Sequence, residues 1–155
     1  MKLRTLFIFI MLLMLMFISQ LSSATAGTAG IRWHPYEEGM ALGKSQEKKV
    51  FINFFATWCT YCRKMDTTTF KDAAVIAYLN ENFISINVDV DKQRSVAAQY
   101  NISPLPDVWF ISEKGEAIGN KPGYMPAKEM LPMLKFIQTD SYLKMSYQKF
   151  LDSQP

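Results

Sequence analysis

The sequence predicts a single α/β domain with a central mixed sheet and helices on both faces. Two observations lead to this. Strand-like runs rich in β-branched and aromatic residues alternate with segments of helical periodicity, and the last two strands are joined by a tight turn at Gly115. The first two strands are separated by a helical crossover and should be parallel, whereas the hairpin should be antiparallel.

The elements follow in order. Lys2 and Arg4 precede an apolar run of thirteen residues, Leu6 to Ile18. A polar, small-residue stretch comes next, with an A-x-A site at Ala24-Thr25-Ala26. This pattern predicts a signal peptide over residues 1–26, because a membrane anchor usually needs about 18 or more apolar residues. An uncleaved membrane anchor is the alternative. Removing the leader leaves 129 residues, enough for one domain. It also lowers the formal charge from +3 to +1 and removes four of the ten methionines. No dense basic footprint remains, which argues against nucleic-acid binding.

Residues 27–32 read as a short linker and 33–138 as the domain. "WHPYEEGMALGKSQEKK", between Trp33 and Lys49, predicts an amphipathic helix that Gly39 and Gly43 weaken. "VFINFFA", Val50 to Ala56, is apolar almost without a break, as in a strand buried on both faces. "RKMDTTTF" continues as a helix until its threonines weaken it. Asp72 is placed to cap a helix through Leu79. Phe83 to Val90 is a second strand, "DKQRSVAAQY" a short helix, Asp107 to Ser112 a third strand, and Ala117 to Asn120 a short edge strand. "MPAKEMLPMLKFIQ" has helical spacing at Met130, Leu131, Leu134 and Ile137, but Pro132 should kink or split it. Residues 139–155 form an amphipathic extension that could cover the domain or a partner.

The chain has two cysteines, Cys59 and Cys62, in "TWCTYC". They could be a staple, part of a metal site, or a redox pair. Export favours disulfides, but a staple stabilises more when it closes a long loop. A pair two residues apart closes almost nothing. A strand ending at Ala56 places Cys59 at a helix N-terminus, where free N–H groups and the helix dipole favour a thiolate. Cys62, one turn on, would be shielded and could resolve a mixed disulfide. Trp58 would supply an apolar wall facing a partner. His34 is the only histidine; with the cysteines and a methionine it could hold copper, but it also reads as a surface or packing residue.

"FINFFATWCTYCRKM" and "YNISPLPDVWFI" together resemble the two signatures of the thioredoxin-like family. "WCTYC", "TTTFKD" and "VDVDKQ" are most similar to the periplasmic C-terminal domain of the thiol reductase DsbD and its free-standing relatives. The resemblance implies a thioredoxin-like fold and a cis-proline at Pro106. It also implies a partner-pairing backbone at Leu105, no organic cofactor and no metal. The implied function is a periplasmic protein-disulfide reductase, a monomer acting on disulfide-containing exported proteins and recharged by a membrane electron donor of the DsbD or CcdA type. An oxidase or isomerase, a copper-handling protein and a non-catalytic adaptor are the alternatives.

Two departures stand out. Many family members carry a buried aspartate six residues before the first cysteine, where this chain has Asn53. Asp66, four residues after Cys62 and on the same helical face, is then the candidate proton acceptor; it reads equally well as a solvated charge. Thr60-Tyr61 supplies no cation to stabilise a Cys59 thiolate, which favours reduction over oxidation.

Overall fold

Residues 30–154 are described in a computed structural model; the leader predicted over 1–26 lies outside them. Five strands form one sheet in the order β1-β3-β2-β4-β5: β1 (Trp33–His34), β2 (Lys49–Phe55), β3 (Phe83–Asp89), β4 (Asp107–Ile111) and β5 (Ala117–Pro122). β1 and β2 run parallel to β3, while β4 pairs antiparallel with both β2 and β5. β2 is central and buried through nearly its whole length. That explains its unbroken hydrophobicity.

Alternation along β2 feeds two cores. Phe51 faces a layer with Met65, Phe70, Val75, Leu79, Met130 and Leu134. Val50, Ile52 and Phe54 face the other, with Ile86, Val88 and Val96. The first layer is covered by α2 (Thr60–Thr67), α3 (Ala73–Asn82) and α5 (Ala127–Gln138). The second is covered by α1 (Tyr36–Ser45) and α4 (Arg94–Gln99). The mixed sheet with helices on both faces is therefore as the sequence predicts.

Three local expectations change. Trp33 and His34 form β1 rather than the start of a helix, because Pro35 ends the strand and serves as the N-cap of α1. The glycines of α1 are contact points: a Cβ at Gly39 would lie 2.3 Å from Ile86 Cγ1, and one at Gly43 2.4 Å from Val50 Cγ2. They let α1 lie close on the sheet, which outweighs their low helix propensity. Pro132 neither splits nor ends α5, which runs unbroken across it. The proline removes the bond to the carbonyl of Lys128, an exposed residue whose carbonyl water can satisfy. Buried Met130, Leu134, Phe136 and Ile137 hold the rest of the helix to the core.

At the margins, Ile31, within the expected linker, is buried in the first core. The C-terminal segment packs on the domain. Phe150 of α6 (Tyr147–Asp152) sits 5.2 Å from the ring of Phe136, and Tyr147 packs beside it. Asp140 and Glu113 both pair with buried Lys49, at 3.0 and 2.6 Å. Burial pulls the Lys49 pKa down, but these two carboxylates more than offset it, so Lys49 stays charged.

Candidate active site

The end of β2 sets the site. After Phe55 the chain turns through Ala56 to Trp58, with the Cys59 N–H donating to Ala56 O at 3.1 Å. Cys59 is the N-cap of α2, and its Sγ accepts the Cys62 N–H at 3.1 Å. A sulfur thus takes the place of the capping oxygen. The two cysteines are joined as a disulfide with Cα atoms 5.2 Å apart. Cys59 is 6% exposed and Cys62 only 2%. The first sulfur is the one that borders open space, because Cys59 lines a cleft and Cys62 does not.

That cleft has a volume of about 650 Å³ and is lined by Trp58, Cys59, Thr60, Tyr61, Val90, Ile102, Ser103, Pro104 and Leu105. Trp58 is 65% exposed and Tyr61 60%, an unusual exposure for large aromatic side chains. Trp58 is held in place by its Nε1–H, which donates to Asp91 Oδ2 at 2.8 Å. On the far flank Tyr61 lies beside Tyr124, whose ring also receives the Lys64 ammonium at 4.4 Å. Leu105 packs directly against the cluster of Ala56, Cys59 and Cys62. The Leu105–Pro106 peptide is cis, as the resemblance implies, and Ser103–Pro104 is cis too. Pro104 lines the cleft; Pro106 is buried behind it.

Trp58, Cys59 and Leu105 are thus brought together at the cleft, Cys62 packs in the same cluster as Cys59 and Leu105, and Pro106, next to Leu105, is buried. Asp66 is not joined to them by any hydrogen bond among the described residues, and its side chain faces solvent. Partial burial raises its pKa and Lys71 opposes the shift. Asn53 is 2% exposed; its Nδ2 donates to Asn87 Oδ1 at 2.8 Å, and its own Oδ1 has no partner among the described residues. His34 bonds Glu38 at 2.8 Å and lines a separate cleft with Arg32 and Lys48. Among the described residues no three His, Cys, Asp or Glu side chains cluster for a metal.

Sequence reasoning missed Val90, Ile102 and Ser103 in the cleft wall, along with the Asp91 bond. One signal was available: Val90 and Asp91 follow β3, and open α/β sheets bind ligands beyond the carboxyl ends of their parallel strands.

A family model described as a thioredoxin-like domain matches residues 36–138. The chain belongs to the thioredoxin-like family. It is 30% identical over 108 residues to the thiol:disulfide interchange protein DsbD of Vibrio vulnificus. That match covers 66% of this chain and 18% of the relative, so the chain corresponds to under a fifth of that protein. The solution structure of a thioredoxin from Thermus thermophilus aligns with TM-score 0.63 at 29% identity, over 69% of this chain and 86% of that one. The C-terminal domain of DsbD from Neisseria meningitidis aligns with TM-score 0.54 over 65% of this chain and 90% of that one. At 21% identity this last match speaks for the fold alone. Family and cysteine pair together identify a thioredoxin-like oxidoreductase with a redox-active C-x-x-C.

Proposed function

We propose that this chain is a periplasmic protein-disulfide reductase. In the reduced protein the Cys59 thiolate attacks one sulfur of a partner's disulfide, forming a mixed disulfide and expelling the partner's first thiolate. The Cys62 thiolate then attacks Cys59 Sγ and the second partner thiolate leaves. Two electrons pass to the partner, and the Cys59–Cys62 disulfide remains. The observation that carries this reading is the asymmetry of the pair. Cys59 caps a helix and opens on a cleft, while Cys62 lies buried one turn below.

Trp58 and Leu105 form the docking rim, and Pro106, buried next to Leu105, sets the turn that presents it. Leu105 supports that role because no backbone hydrogen bond among the described residues engages its N–H or C=O. Asp66 accepts the Cys62 proton through solvent, since Asn53 cannot hold one. Similarity to DsbD and the leader-like N-terminus support export, disulfide-containing exported partners, and recharging by a membrane donor of the DsbD or CcdA type. No helix among the described residues is long and apolar enough to cross a membrane. The expected form is a monomer.

A Cys62→Ser variant cannot resolve the intermediate and should accumulate mixed disulfides that reducing agent releases. Their absence, with Cys59 fully titratable, would contradict the reading. Equilibration with glutathione tests direction: a potential near about −270 mV supports a reductant, and one near about −120 mV an oxidant.

A further inference from the structure

Asp107 is a buried carboxylate that the exchange chemistry leaves unused. It is 3% exposed, opens β4, and directly follows the cis Leu105–Pro106 peptide. Asn120 Nδ2 on β5 donates to both of its oxygens, at 3.1 and 3.0 Å. Trp109 Nε1 donates to Oδ2 at 3.1 Å. Burial raises its pKa, while the bonds from Asn120 and Trp109 work in the opposite direction.

Burying a carboxylate is costly unless its oxygens are satisfied, and opening a strand requires no charge. What this carboxylate does is bind the beginning of β4 to the neighbouring edge strand. The carbonyl of Pro106 is tied to the same stretch of chain, accepting the Gly123 N–H at 2.7 Å. The Leu105–Pro106 turn is therefore fastened from behind at two points. The Leu105 side chain packs on the disulfide, and its backbone groups are unpaired among the described residues.

Resting on the oxidoreductase reading above, we propose that Asp107 is a positioning residue for partner docking. Through Asn120 and Trp109 it holds the Leu105–Pro106 turn at the height where the free Leu105 backbone meets a partner strand beside Cys59. An acceptor is needed at this position. An amide at 107 keeps one oxygen able to accept from both Trp109 Nε1 and Asn120 Nδ2, as Oδ2 does now, and loses the second Asn120 bond; carboxylates at both 107 and 120 would face each other with no donor between them. Exchanging the two side chains reverses donor and acceptor and restores the bond.

The test is steady-state reduction of insulin with saturating dithiothreitol, accompanied by thermal melts of every variant. Losing a partly buried bond to a carboxylate corresponds to about a tenfold change in an equilibrium constant. Asn120→Asp should raise KM by about that factor and Asp107→Asn by less, each with a much smaller change in kcat. The double exchange, Asp107→Asn with Asn120→Asp, should bring KM back to within about twofold of wild type. Should Asp107→Asn fail to fold, Asn120→Ala removes the donor from an exposed position and must raise KM on its own. A KM unmoved by the single variants, or raised and not restored by the exchange, overturns the proposal. A wild-type protein that fails to reduce insulin overturns the oxidoreductase reading itself, and the positioning role falls with it.

Discussion

Reducing the Cys59–Cys62 bond should destabilise the fold slightly, and this change measures how far the fold moves the pair's potential from that of the unfolded chain. The disulfide spans a sequence separation of 3 and so closes a four-residue loop. Loop-closure entropy for so small a ring gives the oxidised form about 2 kcal/mol, against about 4.7 kcal/mol for a 100-residue loop. Reduction gives some of this back. A Cys59 thiolate at the N-cap of α2, facing the Cys62 N–H, gains from the helix end. That gain is typically about 0.3–1 kcal/mol. The ring term wins, and the oxidised protein should be more stable by about 1 kcal/mol. In potential, this makes the folded pair about 20 mV more reducing than the same pair in the unfolded chain. Urea unfolding followed by circular dichroism, with and without dithiothreitol, measures the difference. With a denaturant slope of about 1–3 kcal/mol per molar, the midpoint should fall by roughly half a molar on reduction. A reduced form more stable than the oxidised one would refute the reasoning, since a strong oxidant is defined by a stabilised reduced state.

Other expectations follow from single sites. Gly39→Ala places a methyl group within 2.3 Å of Ile86 and should cost about 1–3 kcal/mol in thermal or urea unfolding; an unchanged midpoint would mean α1 can lift freely. Asn53→Asp buries a carboxylate and removes the donor to Asn87 Oδ1. The loss should be about 1–3 kcal/mol at neutral pH. Because burial raises the folded pKa of the new acid, stability should be lost as pH rises through that value and recovered below it; equal losses at pH 5 and pH 8 would contradict this. Wild-type Asp107 has the same sign. Its folded pKa is raised above the ordinary 3.8, so its contribution favours folding at lower pH and fades as pH climbs through the raised value. Asp107→Ala should remove that component from a stability–pH curve recorded by denaturant unfolding.

The sheet was legible because β2, β3 and β4 carry its core in their composition, and the hairpin announces itself at Gly115. The cysteine pair was equally legible, since spacing and a preceding buried strand fix its place on a helix end. What escaped depends on tertiary contact. β1 is two residues long and exists through its pairing with β3. Gly39 and Gly43 look like helix breakers until the sheet they touch is known. Pro132 survives inside α5 because the carbonyl it frees belongs to a residue on the wet side. The cleft walls come from loops after β3 and before β4, far apart in sequence and without periodicity. Asn53 was visible as a departure, but its unpartnered Oδ1 was not. Asp66 shares a turn with Cys62, as its spacing predicts, and no hydrogen bond among the described residues joins its carboxyl to the sulfur.

The most direct test of the account is insulin reduction by dithiothreitol, comparing the wild type with Cys59→Ser and Cys62→Ser. The attacking sulfur is assigned to Cys59, so Cys59→Ser should fall to the uncatalysed rate. Cys62→Ser should retain attack and stall as a mixed disulfide. Equal rates for wild type and Cys59→Ser would contradict the central claim.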